Sequence, residues 1–209
     1  MICPLCSHDM IEFHHPQTHH LFHVCPSCEA IIKNHENCSN PTDEKKRYEA
    51  HQNDLDQEGY VTFLSAFIER AICPFDVHDL LDYGCGPSPI LGTLLHQLGY
   101  HVDLFDPFFY PKEPLHTYDM VVSTEVVEHF KDPIHSFHHI DDLVKPHGYV
   151  AIMTLFHPND RDQFFNWFYI RDFTHVIFYT LKTLDMMMST MGYEHVYSDQ
   201  KRIAVFHKK

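Results

Sequence analysis

Cys3-Pro4-Leu5-Cys6 and Cys25-Pro26-Ser27-Cys28 place four thiols in two identically spaced pairs, with 18 residues between them. A Cys-x-x-Cys turn aims two thiolates at one point, and two such turns complete a tetrahedral Zn²⁺ site. The proline inside each pair stiffens the turn. In a reducing compartment this pattern signals metal or redox chemistry before a disulfide framework. Redox-active dithiols and four free cysteines are the alternatives, and His23 or His35 could replace one thiol. A thioredoxin-like dithiol sits at a strand–helix junction, a setting neither pair has. Cys38, Cys73 and Cys85 read as free thiols. The segment holds too few large apolar residues for a core of its own, so zinc would act there as a structural staple.

A second chemical signal is Leu80-Leu81-Asp82-Tyr83-Gly84-Cys85-Gly86-Pro87-Ser88-Pro89, a hydrophobic strand that enters a glycine turn and then a helix. Glycine permits backbone angles that other residues resist and lets a ligand approach the main chain. Asp106 follows Asp82 by 24 residues, at the end of a second strand. That is the placement of an acid that holds ribose hydroxyls; the other reading of Asp106 is a turn residue ahead of Pro107. The pattern departs from the Gly-x-Gly-x-x-Gly dinucleotide fingerprint, so no pyrophosphate cradle is expected.

The third signal is Glu125, Glu128 and His129, spaced i, i+3, i+4. On a helix all three would project from one face. Two carboxylates and an imidazole could hold a divalent cation such as Mg²⁺ or Mn²⁺ and lower the pKa of an acceptor hydroxyl, with His175 as a second imidazole. The bland reading is that Glu128 and His129 cap the segment. His157 is a further candidate base, though a lone loop histidine is usually structural. The run Phe164-Phe165-Asn166-Trp167-Phe168-Tyr169-Ile170 either packs into the core or lines a pocket for a flat apolar acceptor.

The elements that must position these residues form three zones. Residues 1–40 are the zinc-binding knob. Residues 41–72 form a helical linker that opens at Asn40-Pro41-Thr42-Asp43-Glu44, is interrupted at Gly59, and continues with Tyr60, Phe63, Leu64, Phe67 and Ile68 at helical spacing. Residues 73–209 alternate strand-like and helix-like stretches, an α/β domain with a mostly parallel sheet. Strands are expected at 78–83, 101–105, 118–123 and 149–155. Helices are expected at 90–98, at 133–144 (stopped by Pro146 and Gly148) and at 183–191, followed by a closing hairpin at 195–198 and 202–207.

The formal charge of −14 disfavours the broad basic surface that long nucleic acids need, although 21 histidines soften it. A small-molecule acceptor is therefore the expected partner. The chain has the hydrophobic content of a globular protein, and no apolar run approaches the roughly 18 residues of a membrane span. With no secretory signal pattern at its start, it reads as cytoplasmic.

Together these stretches resemble the class I S-adenosylmethionine-dependent methyltransferases. Asp82-Tyr83-Gly84-Cys85-Gly86 resembles their first motif and Asp106 the acid closing their second strand. Tyr118-Asp119-Met120-Val121-Val122-Ser123 resembles their fourth strand, Gly148-Tyr149-Val150-Ala151-Ile152 the fifth, and the final helix and hairpin their reversed last strand. The resemblance implies a Rossmann-like fold and S-adenosylmethionine held by Asp82, Tyr83, Gly84, Gly86, Asp106, Pro107, Ser123, Thr124 and Glu125. Two departures stand out. Ser88 replaces the usual third glycine, and only 11 residues separate Asp106 from Tyr118, so the sheet should be shortened there. Glu125-x-x-Glu128-His129 is similar to the metal-carrying motif of small-RNA 2′-O-methyltransferases and of quinol O-methyltransferases. It implies catalytic roles for Glu128, His129 and His175, and O-methylation of a small aromatic or quinol-like acceptor.

The competing functions are two. Some ribosomal RNA guanine methyltransferases also carry a zinc knuckle, and Glu58-Gly59-Tyr60-Val61 resembles the segment that follows it there. A non-catalytic binding module is the other, against which Asp82, Gly84, Gly86 and Asp106 argue.

Overall fold

The structure, a computed structural model, describes residues 1–50 and 56–209. The expected helical linker therefore includes residues 51–55, which lie outside the described ones. Asn40 caps the first helix, α1 (Pro41–Glu49), its side chain accepting the Asp43 N–H, with Pro41 in the first turn. Gly59 does not interrupt the second helix, α2 (Glu58–Ala71); it lies in its first turn.

Beyond α2 the chain builds a six-stranded sheet from β4 (Asp79–Tyr83), β5 (His101–Phe105), β6 (Tyr118–Thr124), β7 (Val144–Met153), β9 (Tyr193–Ser198) and β10 (Ile203–Lys208), in the order β5-β4-β6-β7-β10-β9. The first four strands run parallel, and β10 is antiparallel to both neighbours. No strand occupies residues 106–117, so the shortened edge anticipated from the 11-residue connection is present. The alternation of side chains along each strand sends two cores to opposite faces. Leu80, Met120, Val122 and Ala151 pack with α2 and with α3 (Ile90–Gln97). Leu81, Val121, Val150 and Ile152 pack with α4 (Pro133–Asp142) and α6 (Leu181–Thr190). Helix α4 ends earlier than expected, because Val144 already pairs with Tyr118; Pro146–Gly148 fall at a register shift within β7 rather than at a helix stop.

The knob's strands β1 (Ile11–His14), β2 (Leu21–Val24) and β3 (Ile31–Lys33) form an antiparallel sheet. Its fourth strand is β8 (Ile177–Phe178), from the far end of the chain. Between the knob and β8, Phe13, Phe22 and Ile31 share a core with Phe164, Tyr169 and Phe178. Phe164 belongs to α5 (Arg161–Asn166). The aromatic run thus serves mainly as packing: Phe164 is fully buried and Phe165 packs on Phe13 and His15.

Candidate active site

In an open parallel sheet the strand ends diverge where the connections switch direction, leaving a crevice. Here β5 lies to one side of β4 and β6 to the other. A cavity of ≈ 1010 Å³ opens beyond their ends, lined among others by Asp82, Gly84, Gly86, Asp106, Glu125 and His129.

At one end of the cavity the first glycine turn is forced by sterics. Gly84 (φ +81°) and Gly86 (φ +67°) both adopt left-handed backbone. A Cβ on Gly86 would meet no protein atom within 4 Å, so the turn presents bare main chain to the cavity. Asp82, buried beneath it, accepts the Gly92 N–H at 3.2 Å, and burial raises its pKa to about 7. Asp106 spends its carboxylate on both sides of the turn. Oδ1 accepts the Phe108 and Phe109 N–H groups and Oδ2 the Gly86 N–H at 3.1 Å. The turn reading of Asp106 is thus present, and the same residue lines the cavity.

The other end is built from a turn after β6 and the segment that precedes β8. Glu125 has φ +54° and Val127–His129 form a single 3-10 turn. The one-face helix expected for Glu125, Glu128 and His129 is therefore absent, because the chain bends sharply at Glu125. Convergence arises across the fold instead: ligand atoms of Glu128, His129 and His175 lie within 4.8 Å of one another, while Glu125 stands outside that group. Each imidazole is oriented through Nδ1, His129 3.1 Å from the Thr174 carbonyl oxygen and His175 2.8 Å from that of Tyr169. A carbonyl accepts only from an N–H, so both Nε2 atoms are left as acceptors, the form a metal ligand takes. Glu128 Oε2 and Glu125 Oε1 are buried without a hydrogen-bond partner.

Tyr169, which sequence reasoning placed only within an aromatic run, organises the two carboxylates. Its hydroxyl lies 2.9 Å from Glu125 Oε2 and also contacts Glu128 Oε1. The single phenolic proton faces two carboxyl groups; burial and repulsion from Glu128 raise the pKa of Glu125, and burial raises that of Glu128. Over the cavity lies α1, whose Glu44, Arg47 and Tyr48 share one face at i, i+3, i+4. Glu44 pairs with Lys131 at 2.7 Å, Arg47 with Asp172 at 2.8 Å, and the Tyr48 ring meets that of His129 edge-on. That spacing was a readable signal, but nothing in the sequence tied it to the cavity.

The sequence model of the methyltransferase domain family matches residues 48–198. The chain belongs to that family. Solved structures of similar fold include the mitomycin 7-O-methyltransferase MmcR (11% identity, TM-score 0.59, 82% of this chain and 59% of that one). Others are TnmH (12%, 0.54, 72% and 55%) and the magnesium protoporphyrin IX methyltransferase ChlM of Synechocystis PCC 6803, solved with bound S-adenosylhomocysteine (12%, 0.53, 80% and 94%). The chain thus spans little more than half the length of the first and second of these. No curated protein matches its sequence. Its fold is that of these methyltransferase structures.

Against that family frame, Asp82, Tyr83, Gly84, Gly86, Asp106, Pro107, Thr124 and Glu125 all line the cavity. Ser123 does not: it is fully buried, its Oγ unpartnered, because alternation along β6 turns it away from the crevice. His157 is no base. Its Nε2 lies 2.9 Å from the Glu29 carbonyl oxygen and its Nδ1 accepts the Asn159 N–H, so both nitrogens serve the fold. The bare main chain at Gly86 and the size of the crevice leave room for a nucleoside ligand.

The cysteines also suit a metal. Cys3 and Cys28 Sγ atoms are 3.6 Å apart and Cys6 and Cys25 3.4 Å, close to the separation of about 3.8 Å between thiolates around tetrahedral zinc. The two turns are built alike. Cys3 N–H donates to His8 and Cys25 N–H to Ala30, with Ser7 (φ +60°) and Glu29 (φ +71°) in the left-handed region after each pair.

The buried charges make pH a stability variable. Burial pushes His175 down to about 3 and lowers His129, so both are neutral in the folded chain above pH 6.5; unfolded imidazoles still bind protons around 6.5, and this contribution, which favours folding as the pH rises, ends by about pH 7.5. Raised carboxyl pKa values act oppositely. Their stabilisation is complete below the ordinary carboxylate range and is lost as the pH climbs through the folded value, about 7 for Asp82. With the imidazole contribution over and Glu125 raised to about 8, ligand-free protein is expected to show a Tm that falls between about pH 7.5 and 8.5. Glu125→Gln should flatten the fall, and a Tm rising over that interval in the wild type would contradict this charge assignment.

Proposed function

We propose that the protein transfers the methyl group of S-adenosylmethionine to a hydroxyl oxygen of a small aromatic or quinol-like acceptor. His129 and His175, on the wall of the cavity that Gly84 and Gly86 also line, converge with Glu128, which is fully buried beside them, and this convergence carries the reading. In it, Gly84, Gly86 and Asp106 hold the methyl donor, with the carboxylate of Asp106 fixing the turn against which the sugar rests. Tyr48, Phe108 and Phe130 offer rings against a flat acceptor. These rings take the part that was one of the two readings of residues 164–170.

Methyl transfer from a sulfonium is an in-line displacement, so the residues must align the acceptor and dispose of its proton. The two Nε2 atoms are the acceptors on the cavity wall for that proton, and the buried Glu128 carboxyl, within 4.8 Å of them, is the group to which it can be passed. The same donor set suits a divalent cation, Mg²⁺ or Mn²⁺, which when bound would lower the hydroxyl pKa. Tyr169 holds the carboxylates in place, and α1 covers the reacting groups from water. The pairing of Lys131 with Glu44 and of Arg47 with Asp172 leaves these mouth cations neutralised, which counts against a phosphate-backbone substrate.

Labelled S-adenosylmethionine offered with pooled small hydroxylated aromatics tests the reading. Label should enter acceptor oxygen, disappear after exhaustive EDTA treatment and return with Mg²⁺ or Mn²⁺, while an unchanged Tm verifies that the knob stays folded. Turnover indifferent to EDTA would remove the cation, and transfer to RNA alone would remove the small acceptor.

A further inference from the structure

Strand β8 lies between two parts of the molecule that are far apart in sequence. On one side it completes the knob's sheet, with Ile31 opposite Phe178 and Ile32 opposite Ile177. On the other, the same segment is tied to the turn that carries Glu128 and His129. The Val176 N–H donates to the Glu128 carbonyl at 2.9 Å, the Tyr179 hydroxyl donates to the Val127 carbonyl at 3.1 Å, and His129 Nδ1 meets the Thr174 carbonyl.

Lys33 grips both flanks of His175. Its N–H donates to the Val176 carbonyl at 2.8 Å and its Nζ to the Phe173 carbonyl at 3.2 Å. Lys33 is only 3% exposed, an expensive location for an ammonium unless its donors are used. The residues beside the second cysteine pair add further anchors. The Thr183 hydroxyl donates to the Cys28 carbonyl at 2.8 Å, and the Glu29 carboxylate accepts the Thr180 hydroxyl at 2.9 Å and Lys182 Nζ at 3.1 Å. A cysteine site that fixes Cys28 thereby fixes the start of α6 and, through β3, the backbone around His175.

We propose that the four-cysteine site governs the acceptor half of the active site through β8, with Lys33 as the positioning residue that sets His175. Loss of zinc would relax the two cysteine turns and free β3, leaving β8 held on one side alone. The donor half is framed by β4, β5 and their turns and would keep its shape. The inference rests on Glu128, His129 and His175 being acceptor-side machinery, but the coupling is measurable without turnover.

Hydrogen–deuterium exchange of the zinc-loaded full chain, compared with Lys33→Met and with chain stripped by a zinc chelator, tests it. In Lys33→Met, residues 172–180 should exchange at least about tenfold faster, while residues 79–86 and the affinity for S-adenosylhomocysteine stay as in the wild type. Lys33→Arg should restore the protection, and zinc stripping should reproduce the pattern more strongly. In an active preparation Lys33→Met should lower kcat and leave the KM for S-adenosylmethionine unchanged. Unaltered protection at 172–180 in Lys33→Met would overturn the proposal, as would acceleration spread equally over 79–86. If stripping unfolds the chain, Lys33→Met decides alone, since its cysteines are intact. Should no acceptor be methylated, the exchange pattern still reports on the coupling, so the two failures are distinguishable.

Discussion

Glu128→Gln is expected to lower turnover by roughly 10²–10⁴-fold, the range for removing a positioned base, with the affinity for S-adenosylmethionine nearly unchanged. The substitution preserves volume, and the amide oxygen can still accept from Tyr169. What it alters is the side of the carboxyl at Oε2, which has no protein partner. An amide nitrogen there donates instead of accepting, so it can neither take a proton nor bind a cation beside His129 and His175. Measuring kcat and KM separately, with cofactor binding by calorimetry, locates the effect at the acceptor. Activity within a fewfold of wild type would exclude Glu128 from the chemistry and favour its reading as a buried structural acid.

The second large effect is expected at Gly84. A Cβ there would sit 2.5 and 2.6 Å from the two methyl carbons of Val126, and the backbone is left-handed as well. Overpacking of this kind costs roughly 1–3 kcal/mol, to which the strain at positive φ adds. Val126 follows Glu125, so the displacement reaches both ends of the cavity at once. Gly84→Ala should therefore lower the Tm and weaken cofactor binding about 10- to 100-fold, taking 1.4 kcal/mol per decade. Adding Val126→Ala should recover part of both losses by removing the colliding methyls. Gly86→Ala is the contrast: its Cβ meets no protein atom within 4 Å, so cofactor binding should suffer more than Tm. Calorimetric binding of S-adenosylmethionine to Gly84→Ala at wild-type strength would show that the crevice is not the donor site.

These effects trace back to features of different legibility. The donor half is local: a strand, a glycine turn and an acid 24 residues on are consecutive features, and periodicity reveals them. The acceptor half is not. Glu128, His129 and His175 were nameable, yet the helical geometry that grouped Glu125, Glu128 and His129 is absent, since the chain turns left-handed at Glu125. Tyr169 escaped notice because a tyrosine amid phenylalanines carries no spacing signal; only its position between two buried carboxyls gives it a role. Ser123 was misplaced for a related reason, as one residue's shift along a strand exchanges crevice for core.

The sequence by itself determined the alternation of strands and helices, the shortened edge of the sheet and the grouping of the cysteines, because each depends on contacts between near neighbours or on chain length. Only the tertiary structure decided that the knob borrows β8 and that α1 covers the cavity. It also gave His175, named from the sequence as a second imidazole, its place beside Glu128 and left Glu125 outside the group. Those pairings join residues far apart in the chain, and their free energy comes from shared burial and cross-strand hydrogen bonds that no local pattern encodes.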